Sequence, residues 1–87
     1  NMKLKDGFIL RQVAGKTVVL PCDETLDLNM MITLNDTGRF LWELLGTETT
    51  EEEMVRALLK EYDVNQKTAQ TAVSAFVKKL SDNGFLA

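Results

Sequence analysis

Cys22 is the one thiol of the chain, and histidine is absent. A nucleophilic cysteine needs a base or cation nearby to make it a thiolate, and a serine triad needs an imidazole. The triad cannot be assembled without histidine, no base is in evidence for Cys22, and one cysteine is too few ligands for zinc. Cys22 therefore reads as a small, partly buried packing residue. The phosphate-cradling patterns G-x-x-x-x-G-K-[ST] and G-x-G-x-x-G do not occur. Glu51, Glu52 and Glu53 form an acidic cluster, but they stand where a helix should start, and the helix dipole explains them better than a metal does. No catalytic residue, metal ligand or cofactor is expected, and the chain reads as a non-enzyme.

The remaining chemistry is that of binding. Met30-Met31-Ile32-Thr33 is an apolar, β-branched run. In a strand its neighbours point to opposite faces, so one methionine packs inward; the other is either plain packing surface or an adaptable outer surface for a peptide. Lys78 and Lys79 come late in a helix, where positive charge suits the dipole. Trp42 lies off the centre of its helix's apolar stripe and is expected to fill the core or a seam between helices.

The elements that hold these residues follow from spacing. Phe8 to Val13 and Thr17 to Leu20 flank Ala14-Gly15-Lys16 and predict a hairpin. Pro21 should end the second strand. Cys22 to Thr25 reads as a polar loop, Leu26 to Asn29 as an approach, and Met30 to Leu34 as a third strand. Asn35 can cap a helix from Asp36 to Leu45, with Phe40, Leu41, Leu44 and Leu45 at steps of three and four. Gly46 should stop it in the left-handed conformation. Thr50 with Glu53, or Thr49 with Glu52, forms a capping box for a second helix whose buried face is Met54, Val55, Leu58, Leu59 and Tyr62. Asp63 or Asn65 caps a third, with Ala69, Val73, Phe76 and Leu80 as its buried stripe. Gly84 should end it, with Phe85 and Leu86 folding back. Strands segregated from helices predict an α+β fold.

The totals are those of one small globular domain over residues 1–87: 45% hydrophobic, 26% charged, net charge −3. Met2, after Asn1, reads as the natural start. A negative chain is poorly matched to nucleic acid. No apolar run is long enough to span a membrane, and no signal-peptide pattern is present. With one cysteine no internal disulfide can form, so a reducing, cytoplasmic setting is expected.

The run L-N-D-T-G-x-x-L-W-E-L-L, Leu34 to Leu45, resembles the signature of the PqqD family, the small peptide chaperones also called RiPP recognition elements. Thr50-Glu51-Glu52-Glu53, Leu58-Leu59-x-x-Tyr62 and the series Ala69, Val73, Phe76, Leu80, Gly84, Leu86 resemble later parts of the pattern, in order. One departure is Ala72, where many members carry an aspartate. The resemblance implies a winged-helix-like fold, a three-stranded antiparallel sheet followed by a three-helix bundle. It also implies a function: binding the leader segment of a ribosomally made precursor peptide and presenting it to a modifying enzyme, commonly a radical S-adenosylmethionine protein. The leader would add as a strand to the third strand, in the cleft against the third helix.

On these residues the peptide would meet Met30, Met31, Ile32 and Thr33 on one wall. Ala72, Ala75, Phe76 and Lys79 would form the other, with Lys79 placed to meet an acidic leader residue. The opposite flank of the helix, with Gln70 and Val77, is an alternative wall. Two other functions stay open: a winged-helix DNA-binding domain using Lys67, Lys78 and Lys79, and a structural adaptor of an enzyme complex. A free third-strand edge would also permit a homodimer.

Overall fold

The computed structural model describes residues 2–21 and 32–87. Three strands, β1 (Phe8–Val13), β2 (Lys16–Pro21) and β3 (Ile32–Leu34), precede three helices, α1 (Asp36–Leu44), α2 (Glu51–Glu61) and α3 (Gln66–Asp82). The strands form one antiparallel sheet in the order β1-β2-β3. The α+β architecture is the one expected. Cys22 and the expected approach at 26–29 lie outside the described residues.

The hairpin turn is tighter than expected. Lys16 pairs with Val13 as the first residue of β2, which leaves Ala14 and Gly15 as a two-residue loop. Both have positive φ, 52° and 79°. That is the requirement of a type I′ turn, whose twist matches the strands it joins. Ala14 accepts a conformation that usually falls to Gly or Asn, so its residue type carried no signal for this turn.

Helix starts follow side-chain oxygens. Asn35 Oδ1 accepts from the Gly38 N–H at 2.7 Å, Thr50 Oγ1 from Glu53 at 3.1 Å, and Asn65 Oδ1 from Thr68 at 2.8 Å. Thr50 is thus the α2 cap and Asn65 the α3 cap. Glu53 does not complete a reciprocal box; its carboxylate accepts from the Thr49 hydroxyl at 3.1 Å.

The ends of α1 and α3 differ. Gly46 has no positive φ. Instead α1 tightens, with the Leu45 N–H 3.3 Å from Leu41 O and 3.1 Å from Trp42 O. A Cβ on Gly46 would stand 3.2 Å from Glu43 O, so the glycine serves a close backbone approach. At α3, Gly84 takes φ 78°. Phe85 N–H donates to Leu80 O at 2.9 Å and Gly84 N–H to Ser81 O at 3.2 Å, the two bonds of a Schellman motif. Gly84→Ala is expected to cost about 1–2 kcal/mol in urea denaturation, since a Cβ there forces a strained left-handed residue. Gly84→Asn should cost less.

The core lies between the sheet and the helices. Val19, Leu41, Leu45, Met54, Val73, Leu80 and Phe85 are fully buried. Trp42 is buried as well, so it belongs to the core, edge-on to Phe85 with ring centroids 5.7 Å apart. Phe40, expected on the inner stripe, is only half-buried and meets Tyr62 edge-on at 5.6 Å. Residues 2–5 close the molecule. Met2 exchanges backbone bonds with Thr49, Lys5 N–H donates to Phe85 O at 2.9 Å, and Ala87 N–H donates to Lys3 O at 2.8 Å. No described helix is long and apolar enough to cross a membrane.

Candidate peptide-binding site

β3 is an edge. It pairs with β2 through Thr17↔Leu34, Val18↔Thr33 and Val19↔Ile32, and the described strands add nothing on its other side. Which of its backbone groups face outward follows from the hairpin. The pair flanking a two-residue turn, Val13 and Lys16, exchanges both of its hydrogen bonds, and the pattern then alternates along an antiparallel ladder. Arg11 and Val18 are hydrogen-bonded partners by this alternation, so Val18 directs its N–H and C=O toward β1. Thr17 and Val19 direct theirs toward Leu34 and Ile32. Thr33, opposite Val18, is left with its N–H and C=O directed away from β2, along the edge that no other described strand pairs.

The side chains of β3 alternate accordingly. Ile32 and Leu34 are buried against the helices, and Thr33 is exposed. Met30 and Met31, the other expected strand residues of this wall, lie outside the described residues.

Beside the β3 edge runs a groove whose far wall is α3. At its β3 end it is lined by Thr33, Leu34, Asn35, Gly38, Phe76 and Lys79. Its continuation keeps Asn35, Gly38, Phe76 and Lys79 and adds Thr37, Leu41, Ala72 and Ala75. Of the two α3 flanks open from sequence, the one with Ala72, Ala75 and Lys79 faces this groove. Gln70 lines another depression on the outer side of α3, with Thr71, Ser74, Lys78 and Ala75, which borders both.

Phe76 differs from the residues around it in the stripe. Ala69, Val73 and Leu80 are buried, whereas Phe76 is half-exposed and presents its ring to the groove. Gly38 forms part of the floor. A Cβ there would stand 3.1 Å from Asn35 Oδ1 and 3.5 Å from both Leu34 Cβ and Phe76 Cε1. The missing side chain keeps the recess between α1 and α3 open. Ala72 and Ala75 act alike from the other wall.

Asn35, Thr37, Gly38 and Leu41 were not among the site residues expected from sequence. A glycine in the first turn of a helix, where it weakens helical preference, was the available clue to Gly38. The others were hidden because their capping and core roles explained them fully.

Among the described residues the groove is mostly apolar, and Lys79 is the one ionisable residue lining either stretch. Lys78 on the same turn is committed to Asp82 at 3.0 Å. The described ion pairs leave Lys79 without a carboxylate.

Two solved structures share this architecture. The chain is 26% identical to that of "TbiB1 in Complex with the TbiA(beta) Leader Peptide", with 98% of this chain and 94% of that one covered and a TM-score of 0.75. A second, "Lasso peptide synthetase B1 complexed with the leader peptide", is 22% identical over 99% of this chain and 96% of that one, at TM-score 0.74, and shows the same fold. No curated protein matches. Residues 16–86, from the start of β2 to the tail beyond α3, match the family model described as Coenzyme PQQ synthesis protein D (PqqD), and the chain belongs to the PqqD family.

Proposed function

We propose that this chain is a non-enzymatic adaptor that binds the leader segment of a ribosomally made precursor peptide and presents it to a modifying enzyme. The observation that carries this reading is the β3 edge at Thr33, which no other described strand pairs, beside an apolar groove walled by α3. An extended peptide entering there gains main-chain hydrogen bonds from β3, and alternate side chains enter the groove or point to solvent. Affinity then comes mainly from backbone pairing and specificity from the wall. A solved relative is described in complex with a leader peptide, which supports the same use of this fold.

Of the expected contact residues, Ile32 and Thr33 would supply the pairing strand, and Ala72, Ala75, Phe76 and Lys79 the wall. Met30 and Met31 would extend the strand at its start. The modifying enzyme is proposed to be of the radical S-adenosylmethionine class, with the adaptor working in the cytoplasm. It contributes no group to the chemistry and acts by raising the local concentration of the precursor at the enzyme.

The test is calorimetric titration with synthetic leader and core halves of a candidate precursor peptide. The leader half should bind at micromolar affinity or better, and the core half should not. Equal binding of the two halves, or none, would refute the reading. Salt-sensitive binding to duplex DNA in its place would favour the winged-helix DNA-binding alternative.

A further inference from the structure

The geometry points to a two-part specificity in the β3–α3 groove: a large apolar leader side chain seated over Gly38, and an acidic one two residues away that meets Lys79. This inference rests on the leader-binding reading above and adds which residues of the leader are selected and by what.

The apolar part follows from the recess. Gly38, Leu41, Ala72 and Phe76 surround a space that a single Cβ at position 38 would begin to fill, given its 3.5 Å approach to Phe76. A leucine, isoleucine or phenylalanine side chain there buries apolar surface at about 25 cal/mol per Å². A polar side chain would find few partners along that wall.

The acidic part follows from charge. The chain is net −3, yet among the described residues the groove's one ionisable group is the cation Lys79. It lies one helical turn beyond Phe76, and both residues border the two stretches of the groove. A long, flexible lysine favours a carboxylate here and opposes a basic residue.

Spacing ties the two parts together. The recess and Lys79 are on the same side of the added strand. Side chains on one side of a strand recur at every second residue, about 6.6–6.8 Å apart. The apolar and acidic residues must therefore share parity, and the shortest such spacing places one outward-pointing residue between them. Gly38 and Lys79 are the specificity-determining positions of this scheme. One sets the depth of the recess and the other the sign of the charge.

The test is display selection of a randomised twelve-residue peptide library against the wild-type chain, Lys79→Glu and Gly38→Ala. Wild type should enrich a large apolar residue with Asp or Glu two positions away. Lys79→Glu should keep the apolar residue and exchange the acid for Lys or Arg. It should also weaken the wild-type peptide by about tenfold, or about 1.4 kcal/mol. Gly38→Ala should shift selection toward smaller apolar residues while retaining the acid. Amide shifts of Thr33 and Phe76 with the selected peptide show whether it occupies the groove. Peptides that shift those amides but carry no such pair, or whose charge preference survives Lys79→Glu, overturn the specificity while leaving leader binding intact. Peptides that shift only other surfaces, or no enrichment at all, overturn both.

Discussion

Thr33→Pro is expected to leave the protein folded and to abolish most leader binding. Thr33 is exposed, and its N–H is directed away from β2, so proline removes no bond of the β2–β3 ladder. The residue before it, Ile32, is already in a strand, the conformation that proline favours in its predecessor. Stability should change by no more than about 1 kcal/mol. Binding should suffer far more. The substitution deletes one main-chain donor, worth about 0.5–1.5 kcal/mol, and its ring holds an incoming strand away from neighbouring acceptors. At least a tenfold loss of affinity, about 1.4 kcal/mol, is expected. Thr33→Ala keeps the backbone and should bind nearly as wild type. Paired urea melts and calorimetric titrations of the two variants separate the backbone from the side chain.

Phe85→Ala should produce the largest loss of stability. Phe85 is fully buried near the end of the chain, with its ring 4.6 Å from that of Phe8 and 5.7 Å from that of Trp42. It ties β1, α1 and the C-terminal turn together, and its backbone bonds both to Leu80 and to the N-terminal segment at Lys5. Truncating a buried phenylalanine costs about 3–5 kcal/mol. A domain of this size holds roughly 4–13 kcal/mol in total, so the variant should retain a small part of its stability or none. Trp42 fluorescence through a urea titration reads the midpoint directly, because the indole packs on the ring that is removed. A loss below about 1 kcal/mol would mean that the aromatic cluster is not the keystone of the core.

Much of this architecture is written locally. Asn35, Thr50 and Asn65 are cap residues by side-chain chemistry, and each caps the helix that follows it. Gly84 and Phe85 form the Schellman turn that a glycine before an apolar residue predicts. Other features depend on distant partners and have no local signature. Residues 2–5 carry little strand preference, yet they are held by backbone bonds from the α1–α2 connection and the C-terminal tail. Gly46 looks like a left-handed helix stop but is required by the approach to Glu43 O.

The groove follows the same division. The third strand was legible as a pairing edge, and the α3 flank with Ala72, Ala75 and Lys79 as one of two alternatives, because helical spacing groups those residues on one face. Choosing that flank over Gln70 and Val77 needed the packing of α3 on the core. Phe76 shares the stripe of Val73 and Leu80 by spacing, yet it reaches past the core to the groove wall. Gly38 enters only when α1 and α3 are seen side by side.

The central claim is that a leader adds to the β3 edge at Thr33. The direct measurement is amide exchange together with cross-strand NOEs on the isotope-labelled chain bound to its precursor's leader. Slowed exchange of the Thr33 amide on binding is predicted, with NOEs from the Thr33 backbone to the leader backbone and from the Phe76 ring to a leader side chain. A saturated complex in which the Thr33 amide still exchanges freely, and whose NOEs run to β1 or α2, would contradict it.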